Sequence, residues 1–224
     1  MNNFFIQGEY NIQAAMCAIL ENAVYKGKPT IEAVPIGSVE WTKEYAQSCG
    51  VSLPMNLTYP HSLKNFLGRE GYQQPFGSVP EDWFVKPIWT KEFSGGIKRE
   101  LTENVPYNKL VWSFEPVKFI AEWRCYVLDG KIVGVSQYGE DEDMDLDLTI
   151  PNQMLEAWSY SSSYPIQPAG WALDVGMLDD GRIVLVEVND GWALGYYPGC
   201  NRKDYLNVIS ARWKELTQEK EKVI

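Results

Sequence analysis

The sequence contains a single histidine, and its acidic side chains outnumber its basic ones. Among 224 residues, 30 are Asp or Glu and 20 are Lys or Arg, so the net charge is −10 at pH 7. This balance argues against a broad basic surface for a nucleic-acid backbone, and we predict no nucleic-acid partner. A histidine-dependent mechanism would have to use His61, which lies in the stretch Y-P-H-S before a predicted helix. We expect a loop or helix-cap role for His61.

Closely spaced cysteines and long apolar runs are also missing. Cys17, Cys49, Cys125 and Cys200 are far apart and form no C-x-x-C or Cys/His spacing, so we predict free buried thiols and no zinc site. The N-terminal MNNFFIQGEY has no basic flank before an apolar region, and no apolar run approaches the roughly 18 residues of a membrane span. We therefore expect a cytoplasmic chain without a membrane partner. The oligomeric state is left open.

The hydrophobic content is 45%, which is enough for a sizeable core in one large domain or two small ones. Residues 3–7 and 30–36 are strand candidates, and residues 11–24 between them have apolar side chains at helical spacing. This order predicts a small N-terminal α/β lobe, which lacks the G-x-G-x-x-G motif of a dinucleotide-binding lobe. Residues 68–80 are rich in Gly, Pro and Gln and predict a connection between lobes.

Residues 171–195 are the most informative stretch. Two apolar, strand-like runs flank a D-D-G turn at residues 179–181, which predicts a β-hairpin. Glu187 and Asn189 are two apart and point to one face, and Asp174 falls opposite or diagonal to Glu187. Two carboxylates and an amide oxygen on one face repel each other unless a cation lies between them. Hard oxygen donors of this kind suit Mg²⁺ or Mn²⁺, which take further ligands from water and nucleotide phosphates.

A solvated hairpin face with three ordinary polar side chains is the alternative, because antiparallel sheets often present a polar face to water. The neighbours of Glu187 oppose this interpretation. Residues 184–188 are apolar except for Glu187, so both faces of the strand are predicted to be covered.

A lysine at a predicted strand end is the second signal. Residues 83–85 are strand-like, Lys86 follows directly, and the turn F-S-G-G at residues 93–96 can bring backbone amides close to phosphates. A lysine fixed at a strand end suits an α- or β-phosphate. A surface lysine before an ordinary loop is the alternative explanation.

The order of these motifs resembles the ATP-grasp carboxylate–amine ligases, in particular a compact clade of bacterial and phage proteins named for two arginines and a lysine. The resemblance covers about residues 80 to 200 and is specific through motif order. It implies an α+β fold class, the ATP-grasp fold. A small N-terminal α/β lobe, residues 1–75, would precede two α+β subdomains in residues 76–224, which hold ATP between antiparallel sheets.

The resemblance also implies individual roles. Asp174, Glu187 and Asn189 would hold one or two Mg²⁺ or Mn²⁺ ions that bridge the terminal phosphates of ATP. Lys86 would contact the α- or β-phosphate. Lys91 would contact the γ-phosphate or acyl-phosphate, although a solvated loop lysine fits that position equally well.

The remaining nucleotide contacts are implied for residues 113–117. There the backbone from Ser113 to Val117 would face the adenine edge, and Glu115 would lie near the ribose. Pro116 departs from the family pattern, because it lacks the backbone N–H that usually makes one of these contacts.

The segment Glu122-Trp123-Arg124 resembles the acidic-x-Arg strand of the family. Glu122 would contact the nucleotide, and Arg124 would grip a phosphate or carboxylate as a fork. A cross-strand Glu/Arg ion pair is the structural alternative.

The implied activity is ATP-dependent amide or peptide bond formation through an acyl-phosphate, with release of ADP and phosphate. The substrates would be a small-molecule or peptide carboxylate and an amine, and Asp190 is a candidate to deprotonate the amine. One alternative is a catalytically degenerate ATP-binding or protein-interaction module. Another is a nucleotidyl-transferring ligase that carries AMP on Lys86. The sequence identifies neither substrate.

Overall fold

The computed structural model describes residues 3–8, 12–55, 57–89, 92–139, 143–160 and 165–218. The strands within these ranges are β1 (Asn3–Ile6), β2 (Ala33–Ile36), β3 (Gly71–Pro75), β4 (Phe84–Pro87), β5 (Gly96–Ile97), β6 (Leu110–Phe114), β7 (Phe119–Leu128), β8 (Lys131–Tyr138), β9 (Gly170–Leu178) and β10 (Ile183–Asp190). The α-helices are α1 (Ile12–Leu20), α2 (Val39–Ser48), α3 (Thr149–Ser159) and α4 (Arg202–Gln218).

The N-terminal lobe pairs β1 with β2 in parallel, as the βαβ order predicts. Helix α1 ends at Leu20, so the prediction of a helix through residue 24 is wrong. Asn22 has a positive φ of 52°, which stops the helix, and Val24 forms a parallel bridge with Phe4. Val24 therefore lies beside the two-stranded sheet of β1 and β2 and not on a face of α1.

A four-stranded antiparallel sheet follows, with strand order β3-β6-β4-β5. We call it the middle sheet. Strand β3 lies in residues 68–80, the predicted connection between lobes. The composition of β3 does not favour a strand, but pairing with β6 provides its backbone hydrogen bonds. The domain boundary after residue 75 remains a prediction.

A second antiparallel sheet, the C-terminal sheet, has the order β10-β9-β7-β8. One of its faces is apolar and packs on α3, where Trp158 and Trp171 lie edge to face with ring centroids 4.7 Å apart. The other face carries polar side chains at one end, and the rest of this face packs on α4. At Gly170 a Cβ atom would lie 1.9 Å from the carbonyl oxygen of Val208, so glycine lets α4 approach β9 closely.

All four cysteines are free thiols, as predicted, and three of them are buried. Burial raises the pKa of Cys17 to about 11 and that of Cys125 to about 12, which keeps both protonated and unreactive near neutral pH. Of the helices in the described ranges, none has both the length and the hydrophobicity that a membrane crossing requires.

Candidate active site between the two sheets

Three charged side chains lie side by side on neighbouring strands of the C-terminal sheet. Arg124 on β7 pairs with Asp174 on β9, and Asp174 pairs with Glu187 on β10. The predicted position of Asp174 opposite Glu187 is therefore confirmed. A bulge between Leu185 and Glu187 shifts the register of β10 and fixes which of its residues face the site.

Arg124 and Asp174 form a buried, two-point ion pair. Nε of Arg124 donates to Oδ1 of Asp174 at 2.8 Å, and Nη2 donates to Oδ2 at 2.7 Å. Burial alone would lower the pKa of Arg124, but the Asp174 carboxylate outweighs burial and raises it. The guanidinium carbon also lies 4.9 Å from the ring centroid of Tyr197, so an aromatic face fixes its orientation.

Lys86 reaches the same place from the middle sheet. It lies on β4, and its ammonium group pairs with the carboxylate of Glu187. Burial opposes the charged form of Lys86, yet Tyr59 and Glu187 raise its pKa overall. Burial likewise opposes ionisation of Glu187, but Lys86 and then Arg124 lower the pKa of this carboxyl. The site therefore holds an ionised ammonium–carboxylate pair between two sheets.

Asn189 links the two carboxylates. Its Nδ2 donates to Oδ2 of Asp174 at 2.9 Å and to Oε1 of Glu187 at 3.3 Å. Rotation of the amide would exchange Nδ2 for Oδ1, which gives three oxygen donors of the type that magnesium prefers. In the described part of the chain, no group of three or more His, Cys, Asp or Glu side chains has a geometry that could hold a metal ion by itself. The donor set thus fits an ion that takes its other ligands from water and phosphate.

A cavity of about 250 Å³ opens beside these groups, and we call it the catalytic cavity. Its lining residues come from both sheets, from the first residue of α2 and from the loop after β10. They are Val39, Lys86, Pro87, Arg124, Glu187, Asn189, Asp190, Trp192, Ala193, Leu194 and Gly195. The predicted metal-binding residues Glu187 and Asn189 therefore share one cavity with the predicted phosphate-binding residues Lys86 and Arg124.

The loop after β10 is held by a second buried ion pair. Both oxygens of Asp190 accept hydrogen bonds from Arg212 on α4, from Nε and Nη2 at 2.7 Å each. Oδ1 of Asp190 also accepts from the backbone N of Trp192 at 3.3 Å and caps a short 3₁₀ helix (Gly191–Ala193). This geometry favours a structural role for Asp190 over deprotonation of an amine.

The predicted adenine-binding segment lies where β6 ends. Ser113 pairs with Val85, the neighbour of Lys86, so its side chain lies on the opposite face of the middle sheet from Lys86. Its hydroxyl donates to the Tyr72 carbonyl oxygen at 2.9 Å. Any contact between Ser113 and a nucleotide on the Lys86 face therefore has to come from the backbone.

Three of the other predicted nucleotide contacts lie on β7 or in the connection that precedes it. Glu115 is exposed, Val117 is half-buried, and both belong to the connection between β6 and β7. Oε2 of Glu122 accepts a hydrogen bond from the Tyr138 hydroxyl at 3.2 Å. Lys91 lies outside the described residues.

Sequence reasoning assigned no role to two side chains at this site, Tyr59 and Arg69. The ammonium nitrogen of Lys86 lies 5.4 Å from the ring centroid of Tyr59, and burial raises the pKa of the Tyr59 hydroxyl. The guanidinium carbon of Arg69 lies 4.8 Å from the Phe114 ring centroid and 5.2 Å from that of Phe119. Neither residue lies in a predicted strand, so no local pattern indicated their position.

Comparison with known proteins gave one family match. The matching family is described as an ATP-grasp domain, family 2 of the clade named for two arginines and a lysine, and it matches residues 66–208. Curated proteins gave no sequence match.

Several solved structures share the fold at low identity. D-cycloserine synthetase DcsG is 10% identical with a TM-score of 0.53, over 95% of this chain and 98% of that one. The RimK domain protein ATP-grasp from Sphaerobacter thermophilus DSM 20745 is 13% identical with a TM-score of 0.50, over 93% and 98%. ATP-grasp ligase PsnB, complexed with a phosphomimetic variant of minimal precursor, Mg and ADP, is 15% identical with a TM-score of 0.40, over 77% of this chain. The match spans only 58% of the PsnB chain.

Proposed function

Because this chain belongs to the ATP-grasp domains, in family 2 of the clade named for two arginines and a lysine, we propose that it is an ATP-dependent carboxylate–amine ligase. The family match confirms the predicted clade. Together with the two structures that align over more than nine-tenths of both chains, it also confirms the predicted α+β ATP-grasp fold. The activity, the substrates and the roles of individual residues are proposals that rest on the site geometry.

One observation carries the proposal. Lys86 on the middle sheet meets Glu187 on the C-terminal sheet at the wall of a cavity that Arg124 and Asn189 also line. Phosphoryl transfer asks a protein mainly for positioning and charge neutralisation, and these residues supply both without a covalent nucleophile.

We assign the divalent metal to Asp174, Glu187 and Asn189. Mg²⁺ is the proposed ion, and Mn²⁺ shares its preference for hard oxygen ligands. When bound, the ion neutralises charge on the terminal phosphates. While no ion is bound, Lys86 pairs with Glu187 and outweighs burial to lower its pKa. Arg124 pairs with Asp174, whose pKa burial raises.

The remaining nucleotide contacts are assigned as the family pattern implies. Lys86 contacts the α- or β-phosphate, and Lys91 the γ-phosphate or acyl-phosphate. The backbone from Ser113 to Val117 faces adenine. Glu115 approaches the ribose, and Glu122 contacts the nucleotide.

The proposed reaction has two steps. A carboxylate oxygen of the substrate attacks the γ-phosphorus of ATP, the bond to the bridging oxygen breaks, and ADP leaves. The amine nitrogen then attacks the acyl carbon, phosphate leaves with the bonding electrons, and the nitrogen loses a proton. Arg124, which its two hydrogen bonds to Asp174 hold in place, neutralises charge on the transferred phosphoryl group in both steps. The product is an amide or peptide bond, formed from small-molecule or peptide substrates.

The electrostatics of Lys86 argue against a lysine–AMP intermediate. A lysine nucleophile must be neutral to attack phosphorus, and burial without a carboxylate partner would favour that state. Here the Glu187 carboxylate, together with Tyr59, raises the pKa of Lys86. Lys86 is therefore suited to bind phosphate as a fixed cation.

The test is to incubate the protein with ATP, Mg²⁺ and pooled amino acids and peptides, and to follow ADP release and new product masses. Glu187→Gln should reduce ADP release by more than about 100-fold, because it removes a metal ligand. The exposed Glu32→Gln is the matched control and should keep full activity. Release of pyrophosphate with a lysine adduct would overturn the proposal. Mg²⁺-dependent stabilisation by ATP without any turnover would favour a degenerate binding module.

A further inference from the structure

A groove with mainly apolar walls adjoins the catalytic cavity on the side of the N-terminal lobe. It has a volume of about 360 Å³ and lies between α2, residues 51–55 and Trp89, and we call it the α2 groove. Met55 and Trp89 leave 57% and 49% of their surfaces exposed. Large apolar side chains that stay open beside a catalytic cavity form a surface suited to an apolar ligand.

Three parts of the chain run from the catalytic cavity into the α2 groove. Val39 and Lys43 lie one turn apart on α2, and Val39 lines the cavity while Lys43 lines the groove. Pro87 lines the cavity, and Trp89 lines the groove two residues later. Trp192 lines both. A ligand that reacts in the cavity can therefore extend into the groove.

The charges of the two spaces suggest which substrate extends there. Lys43 is the charged residue among the described residues that line the groove, and these include no carboxylate. The chain as a whole has a net charge of −10, so a positive groove wall is a local exception. A ligand with an apolar part and a carboxylate is complementary to this wall.

We propose that the α2 groove binds the amine substrate, and that this substrate is a free α-amino acid with a large apolar side chain. The inference rests on the proposed ligase function. The side chain lies against Met55 and Trp89, the α-carboxylate approaches Lys43, and the α-amine points into the catalytic cavity. The other substrate, whose carboxylate is activated, lies at Lys86 and Arg124, because these cations neutralise its charge and that of the phosphates.

Binding can be tested without turnover by NMR. The probes are L-phenylalanine, L-phenylalaninamide and L-serine, each titrated in the presence of a non-hydrolysable ATP analogue and Mg²⁺. The readouts are the indole N–H signals of Trp89 and Trp192, assigned with Trp89→Phe and Trp192→Phe. Trp192 lines both spaces, so its indole signal should respond to a ligand in either one. Its Nε1 is buried and has no hydrogen-bond partner among the described residues. L-phenylalanine should shift both signals, and L-serine neither.

Two substitutions with matched controls locate the site. Met55→Asp should weaken L-phenylalanine binding by about tenfold or more, whereas Ile166→Asp, at another exposed apolar position, should not. Lys43→Ala should weaken binding of L-phenylalanine by roughly two- to fivefold but leave L-phenylalaninamide, which has no carboxylate, unchanged. Lys131→Ala is the control for loss of an exposed lysine.

The outcomes separate this inference from the ligase proposal. If the nucleotide analogue binds but L-phenylalanine shifts neither signal, or if binding survives Met55→Asp, the groove assignment is wrong and the ligase proposal stands. If L-phenylalanine binds as expected but no nucleotide binds with Mg²⁺, the groove is an amino-acid site, but the ligase proposal fails and the role of this ligand as the amine substrate fails with it.

Discussion

Two buried arginine–aspartate pairs in this protein have nearly the same geometry but different neighbours. Arg124 donates to Asp174 at 2.8 and 2.7 Å, and Arg212 donates to Asp190 at 2.7 Å twice. In each pair the arginine side chain is 9% exposed and the aspartate side chain 3%. Distance and burial therefore do not distinguish them.

Their surroundings do distinguish them. Asp174 lies beside a second carboxylate, Glu187, which a lysine from the other sheet balances. Arg212 is also bound by Glu215 at 2.7 Å, so there two carboxylates share one cation. The two pairs therefore differ in what their extra acid contacts. Glu187 lines the catalytic cavity and pairs with Lys86. Glu215 instead binds Arg212 and is not among the residues that line the cavity.

The largest expected effect concerns stability. Arg212→Met leaves Asp190 buried without its cation and should lower the free energy of unfolding by about 3–5 kcal/mol. Arg124→Met should cost less, because Asn189 still donates to Asp174 and Lys86 remains near. Urea unfolding at neutral pH measures both. The double variant Arg212→Met/Asp190→Leu should recover part of the loss, since it leaves no unpaired charge. Equal losses in the two single variants would contradict the comparison.

The two pairs should affect turnover in the opposite order, with a larger loss of activity at the Arg124–Asp174 pair than at the Arg212–Asp190 pair. Asp174→Asn should reduce ADP release by more than about 100-fold, because it removes a proposed metal ligand. Asp190→Asn should keep activity within about tenfold at temperatures where it is folded, because Asp174, Glu187 and Lys86 remain in place. Steady-state ADP release, measured where circular dichroism shows both variants folded, gives the ratio. An Asp190→Asn variant as inactive as Asp174→Asn would assign both pairs to the catalytic machinery.

A smaller effect on stability is expected at acidic pH, and it involves only Glu187, the neighbour of the Arg124–Asp174 pair. Lys86 and then Arg124 outweigh burial and lower the pKa of Glu187, so its ionised form stabilises the folded state. This contribution is complete above the ordinary pKa of about 4.3 and is lost as the pH falls through the lowered value. Glu187→Gln lacks it and should lose stability less steeply than the original chain below about pH 5. Urea midpoints across this range test the slope, and parallel curves would show that Glu187 is not the titrating group.

The β9–β10 hairpin is the part of the candidate site that the sequence predicts, because a local turn determines it. The D-D-G turn and the flanking apolar runs predict the β9–β10 hairpin, and the bulge between Leu185 and Glu187 then sets Asp174 opposite Glu187. Lys86 and Glu187 are 101 residues apart, and Arg124 and Asp174 are 50 apart. No local pattern encodes those distances, so only motif order pointed to them.

The elements that sequence analysis missed depend on their partners. Strand β3 (Gly71–Pro75) is composed of Gly, Tyr, Gln and Pro and has little intrinsic strand preference, yet β6 provides its hydrogen bonds. Val24 continues the helical spacing of α1 but bridges Phe4 instead. In both cases a tertiary contact outweighs the local pattern.

Arg69 is a partly buried arginine that interacts mainly with aromatic rings. It therefore provides a third case to compare with the buried Arg124 and Arg212. Burial lowers its pKa despite Tyr59 and Glu122, and its buried Nε has no hydrogen-bond partner among the described residues. Arg69→Met should therefore change the free energy of unfolding by only about 1 kcal/mol, the scale of a cation–π contact. Arg69 packs on Phe114 and Phe119, which lie at the two ends of the connection that carries the predicted adenine contacts, so the same variant should weaken ATP binding by roughly 2–30-fold. Calorimetric titration with ATP and Mg²⁺ gives the affinity, and Arg99→Met, an exposed arginine outside the cavity, is the control. A stability loss as large as that of Arg212→Met would show that Arg69 is a structural residue like Arg212.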